Sequence, residues 1–178
     1  GLLGDIPYRA FIDWSWIDGV EWTKNFVSGE NTFLNAQLYG VAEKMIRMAQ
    51  MMGDHHMERV LTQLRKGIRT SFHKNLFDVE KGCYADANLG GRLSEHVSEI
   101  SNMSAILWGL CGGKEGRRIA ESFYIQENQP FTLAEPFGTM VTLRALDKLG
   151  MTDLAFRILR ERWGAWMVER GFSSTTEE

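Results

Sequence analysis

At 178 residues with 44% hydrophobic side chains, the chain has the length of a single domain and enough apolar material for a core. Its net charge of -3, with acids and bases interspersed, offers no basic stripe that would release counterions from a polynucleotide, so nucleic acid is not an expected partner. No apolar run approaches the roughly 20 residues that span a bilayer, and Cys83 and Cys111 have neither metal-ligand spacing nor the density of a disulfide scaffold, so no membrane, metal or cofactor is expected.

The first 30 residues carry no clear helical stripe. Within them "FIDWSWIDGVEW" sets Trp14, Trp16 and Trp22 beside Asp13, Asp18 and Glu21. Indoles of this kind pack cores, but interleaved with acids they equally suit a sugar-binding rim, where aromatic faces stack on C–H surfaces and carboxylates take hydroxyls. From Asn31 to Met52, Phe33, Leu34, Leu38, Val41, Met45, Met48 and Met52 recur at three- and four-residue steps, which predicts a helix. Gly53 suits a left-handed cap and Asp54 the N-cap of a second helix, whose stripe is Val60, Leu61, Leu64, Ile68 and Phe72. Residues 31–76 therefore read as a helical hairpin, with His55 and His56 as exposed residues at its short turn.

After a longer segment at 78–93, "SEHVSEISNMSAILWGL" predicts a helix over 94–110, "CGGKEG" a turn, and Arg117 to Tyr124 a short partner. "FTLAEPFGTMVTLRALDKLG" (131–150) and "MTDLAFRILRERWGAWMVERG" (151–171) repeat the pattern. The architecture is thus all-α and built of repeated hairpins, with short turns at one end and long loops at the other. If the helices starting near Asn31, Ser94 and Thr132 run parallel, their N-termini converge on the long-loop face. A further start would follow Gly171. Unpaired N–H groups at helix N-termini favour carboxylates by about 0.3 to 1 kcal/mol each.

The polar residues at those starts divide between capping and pocket duty. Ser94, Glu95 and His96 open the third helix as an N-cap with an acidic first turn, or Glu95 and His96 line a pocket. Glu135, in "LAEPF", sits near the start set by Pro136. Ser94 and His96 make no nucleophile and base pair, because i, i+2 side chains diverge on a helix. At the other end, "ERGFSSTTEE" places Glu177 and Glu178 where the repeat puts the next helix start.

Taken together, "DW" at 13–14, "NTFLNAQLYGVAEKMIRMAQMMGD", "LRKGIRTSFHKNLFD", "KGCYAD", "SEHVSEISNMSAILWGL" and "ALDKLGMTDLAFRILRERWGAWMVERG" resemble the catalytic (α/α)6 domain of the bacterial α-L-rhamnosidases, six-hairpin glycosidases. The resemblance spans nearly the whole chain and implies about half of the toroid, its C-terminal half. It implies inverting hydrolysis of a carbohydrate substrate, with a general acid and an opposed general base roughly 6.5 to 9.5 Å apart. The family segment Gly-x-Thr-Thr-x-Trp-Glu, laid on the sequence from Gly171, makes Glu177 the base, with Thr176 at the Trp position. Trp14 and Trp16 resemble the aromatics around the bound sugar. The family's general-acid segment, Asp-Cys-Pro-Gln-Arg-Glu, is absent from these 178 residues, so the expected partner is the upstream half of the same catalytic domain, and the piece alone is expected to be inactive. A six-hairpin glycosidase of another sugar specificity and a noncatalytic helical-repeat scaffold are the alternative readings.

Overall fold

A computed structural model describes residues 1–7, 12, 17, 20–21, 26–124 and 131–173, and the statements below concern these. β1 (Val20–Glu21) pairs antiparallel with β2 (Phe26–Val27), and β3 (Glu30–Asn31) leads directly into the expected hairpin. α1 (Thr32–Met52) starts where the Asn31 side chain accepts the Leu34 N–H at 3.1 Å, and it stops at Gly53, whose φ of 70° is the left-handed conformation that closes the helix. α2 (His55–Leu76) begins one residue later, capped by Asp54 through the Met57 N–H at 2.9 Å.

The remaining elements follow as β4 (Phe77–Asp78), β5 (Cys83–Tyr84), β6 (Ala87–Leu89), β7 (Arg92–Leu93), α3 (Glu99–Leu107), α4 (Gly113–Tyr124), α5 (Pro136–Lys148) and α6 (Thr152–Leu159). α6 runs without a break into a π-helix over Arg160–Val168, closed by a bond from the Glu169 N–H to the Gly164 carbonyl at 2.9 Å. β4 pairs with β5, and β3, β6 and β7 form a three-stranded sheet in the order β3-β6-β7. The fold is therefore mainly helical, with two- and three-residue strands where the sequence suggested only loops.

α1, α3 and α5 pack side by side as an inner row, and α2, α4 and α6 each pack against their own inner partner. α3 lies in the middle and is buried along its whole length from Glu99 to Ile106. The larger core cluster gathers Tyr39, Ile68, Phe72, Tyr84, Met103 and Ile106. Each large apolar side chain removed from water here contributes about 1.5 to 3 kcal/mol before the entropy of ordering is charged. A second, smaller cluster joins Ile12, Ile17, Phe33, Ile100 and Ala134. α1 reaches α3 closely at Gly40, where a Cβ would lie 2.1 Å from the Trp108 ring. The same indole donates its N–H to Gln37 Oε1 at 3.1 Å.

Two expectations are corrected. Ser94 does not open a helix: residues 94–98 are extended, and α3 begins at Glu99 after the N-cap Ser98. The reason is long-range pairing, because Ser94 N–H is taken by the Ala87 carbonyl at 2.8 Å and Glu99 N–H by the Thr132 carbonyl at 2.8 Å. Likewise Thr132 belongs to a parallel bridge with Ser98, and α5 starts four residues later, with Pro136 at its first turn. The expected stripe of α1 also divides. Phe33 is buried and Leu34 and Leu38 are half-buried, while Val41, Met45, Met48 and Met52 are exposed, Met52 at 79%. Ala36, Tyr39, Gly40 and Ala42 form the side that meets the rest of the fold. On α2, Val60 and Leu64 are exposed in the same way.

Candidate active site on the loop face

The starts of α1, α3 and α5 are joined at one end of the molecule by main-chain bonds. Thr32 N–H donates to the Asp86 carbonyl at 2.8 Å, Asp86 N–H to the His96 carbonyl at 3.0 Å, and Thr132 N–H to the Val97 carbonyl at 3.1 Å. The three segments that precede the inner helices thus form a continuous seam, and the helix N-termini converge on the long-loop face. This is the end at which unpaired N–H groups and the positive ends of the helix dipoles collect.

Asp86 holds the middle of the seam. Its fully buried carboxylate accepts the Ser98 N–H at 2.9 Å and the Ser98 hydroxyl at 2.5 Å through Oδ1, and faces His96 Nδ1 at 2.7 Å through Oδ2. On the far side of the imidazole, His96 Nε2 meets Thr132 Oγ1 at 2.8 Å. An ionised carboxylate can only accept, so Nδ1 carries a proton, and Nε2 of the neutral ring accepts from the Thr132 hydroxyl. Both ring nitrogens of His96 are therefore engaged within the protein, and the Asp86–His96–Thr132 chain ties the start of α3 to the segment before α5. Glu95, its neighbour, is exposed; its main-chain carbonyl accepts Lys81 Nζ at 2.7 Å.

A second buried carboxylate opens α3. Glu99, fully inaccessible, receives the Tyr124 hydroxyl at 2.5 Å, the Thr142 hydroxyl, the Ala134 N–H at 2.9 Å and Arg162 Nη2 at 2.8 Å. Arg162 also donates through Nη1 to Glu99 Oε1 at 3.2 Å and to the Thr139 hydroxyl at 3.1 Å. Burial on its own would lower the pKa of this guanidinium, but the Glu99 carboxylate more than offsets it and holds it above its ordinary value. Burial, with Glu99 alongside, pushes the Tyr124 phenol well above its ordinary range, so it remains a proton donor to Glu99. One carboxylate thereby collects the end of α4, the segment before α5, α5 itself and the π-helix.

Asn102 plays the part of a missing strand at the other side of α3. Its side-chain oxygen accepts the Tyr84 N–H at 2.8 Å and its amide donates to the Tyr84 carbonyl at 2.9 Å, so β5 is paired by a side chain. The face is thus rigidly built, and what it presents outward is the chemistry of carboxylates and hydroxyls beside helix N-termini.

Among the residues expected at the site, His96 is brought into contact with Asp86 and Thr132, and Glu95 lies on the same segment with its side chain at the surface. Glu135 is the N-cap residue of α5 and lines a cavity beside Arg162. Asp13, Trp14, Trp16, Glu177 and Glu178 lie outside the described residues. Sequence reasoning missed Asp86, Glu99 and Arg162. Glu99 had one available signal, being the single charged residue between Val97 and Leu107 in a segment otherwise fit for a core. Among the described residues no group of three or more His, Cys, Asp or Glu side chains is placed to hold a metal ion, and no helix is long and apolar enough to cross a membrane.

No protein-family model and no curated protein matches the chain. Its fold does match a solved structure, that of a GH78 family rhamnosidase of Bacillus sp. GL1, with a TM-score of 0.77 and 22% sequence identity. The match covers 96% of this chain but 17% of that one, so the chain spans about a sixth of the length of the protein it is similar to. At this identity the likeness is one of fold: the paired helices and their order are those of a segment of the rhamnosidase.

Proposed function

We propose that the chain forms part of the catalytic (α/α)6 domain of a glycoside hydrolase that removes terminal α-L-rhamnosyl residues with inversion. The observation that carries this reading is the fold likeness to the GH78 rhamnosidase over 96% of the chain. The convergence of three helix starts on one loop face supports it, since that face offers the setting for carboxylates that the reaction uses.

In this reading Glu177 is the general base that removes a proton from water as it attacks the anomeric carbon. A general acid from elsewhere in the longer polypeptide protonates the departing oxygen. Trp14 and Trp16 stack on the sugar and Asp13 takes its hydroxyls. Glu95 faces the substrate from the start of the third inner segment, while His96 positions that segment through Asp86 and Thr132. The rest of the domain is the partner: it covers the exposed stripe Val41, Met45, Met48 and Met52, an apolar surface at helical spacing that a further helix would bury.

The test uses the full-length polypeptide and an aryl α-L-rhamnoside. Glu177→Gln is expected to lower kcat by several orders of magnitude with little change in KM, and azide is expected to restore turnover as a nucleophile that needs no base. Wild-type turnover in that variant moves the role away from Glu177. Turnover by the 178-residue piece alone would contradict the division of the site between two parts of the polypeptide.

A further inference from the structure

Between the end of α4, the segment before α5 and the π-helix lies a cavity of about 570 Å³, within the range of small-molecule sites. Its walls combine Tyr124, Glu135, Glu161, Arg162, Trp163 and Met167. None of these residues has a part in the proposed hydrolysis.

The chemistry of the walls narrows what the cavity can hold. Arg162 is the one cation among those side chains, and its charge is already matched by Glu99, which it meets at 2.8 Å. An anion would therefore gain little from the guanidinium and would be repelled by Glu135 and Glu161. A purely apolar ligand would leave two carboxylates and part of a guanidinium desolvated without partners. The combination that satisfies every wall is a neutral polyol with one apolar face. Hydroxyls bind carboxylate acceptors and guanidinium donors, and C–H surfaces pack on the indole of Trp163.

The π-helix gives this arrangement its geometry. Winding with i→i+5 bonds, it carries Arg162 inward to Glu99 while the adjacent Trp163 lines the cavity. The inward anchor is stiff, because Arg162 also holds the Thr139 hydroxyl at 3.1 Å and the Ala134 carbonyl at 3.4 Å. The cavity wall is thus fixed before any ligand arrives, which spares binding the cost of ordering it.

We infer that this cavity is a saccharide-binding subsite, with Trp163 as its stacking platform and Glu135 and Glu161 as hydroxyl acceptors. The inference rests on the cavity walls and not on the hydrolase reading. Its test is fluorine NMR of the full-length polypeptide labelled with fluorotryptophan, the Trp163 signal being identified by its loss in Trp163→Phe. Titration with L-rhamnose and with methyl α-L-rhamnoside is expected to move that signal saturably, and Glu135→Gln is expected to weaken the apparent affinity about tenfold, the loss of a charge-assisted hydrogen bond. A Trp163 signal that stays fixed throughout both titrations, or that moves with inorganic phosphate but not with the sugars, overturns the assignment. A polypeptide that shows the sugar-dependent shift yet hydrolyses no rhamnoside refutes the hydrolase reading alone; one that turns over rhamnosides with an unmoved Trp163 signal refutes the subsite alone.

Discussion

Replacing Glu99 by glutamine tests whether one buried carboxylate holds the loop face together. The variant keeps a carbonyl oxygen for the Tyr124 and Thr142 hydroxyls, but it turns the Oε2 acceptor into an NH2 donor. That donor then faces two others, the Ala134 N–H that lay at 2.9 Å and Arg162 Nη2 that lay at 2.8 Å. Breaking a buried ion pair by removing one partner costs about 3 to 5 kcal/mol. Arg162 retains 20% side-chain exposure and the Thr139 hydroxyl as an acceptor, which places the expected cost at the lower end, about 3 kcal/mol. In equilibrium terms that is about two orders of magnitude. The assay is amide hydrogen exchange in the full-length polypeptide, read at Ala134 and through the first turn of α5, where protection is expected to fall by about a hundredfold. Arg162→Met should act on the same amides, and the double variant should cost less than the two single changes added together, because the second removes a partner already lost. Protection at Ala134 that stays within about threefold of wild type in Glu99→Gln would refute the reasoning, since the carboxylate would then not be what holds the segment.

Two further outcomes follow from packing and burial. Gly40→Ala forces a methyl to within 2.1 Å of the Trp108 ring and should destabilise the fold by about 1 to 3 kcal/mol, seen as a lowered denaturation midpoint; an unchanged midpoint would mean that α1 and α3 do not meet there. Burial, reinforced by Asp78, pushes the Cys83 thiol up to about 11, and burial with Glu115 pushes the Cys111 thiol up to about 12. Both shifts are upward from 9.0, so the stability they contribute is complete below about pH 9 and is lost as pH rises toward 11 and 12. Neither thiol should react with a disulfide reagent in the native protein at pH 8, and rapid labelling of either would contradict its burial.

The hairpin at 31–76 was legible because local signals agreed: an apolar period, Asn31 and Asp54 at N-caps, and Gly53 between them. What that period could not reveal was which side of α1 meets the core. Small residues, Ala36, Gly40 and Ala42, make the close contacts, while the methionines that dominate the stripe stay outside. The start of α3 slipped from Ser94 to Glu99 because residues 94–98 pair with Ala87 and Thr132, partners that no local window contains. The short strands at 77–93 are too brief to show a two-residue alternation. At the site, His96 could be singled out from its position near a helix start, but its role depends on Asp86, ten residues back, and Thr132, thirty-six ahead. Glu99 and Arg162 are separated by 63 residues, and only folding, with the π-helix turning Arg162 inward, pairs them.

The seam across the helix starts is made chiefly of main-chain groups, which every residue other than proline can supply. Its pattern can outlast repeated exchange of the side chains that ride on it, so the outline of the fold and the lettering of its loops are free to drift at different speeds. A catalogue of variants in these segments should therefore show proline as the rare intolerable change at Thr32, Asp86, Glu99 and Thr132, whose N–H groups close the seam. Around those four positions, the surface offered to a ligand can be rewritten while the scaffold beneath stays where it is.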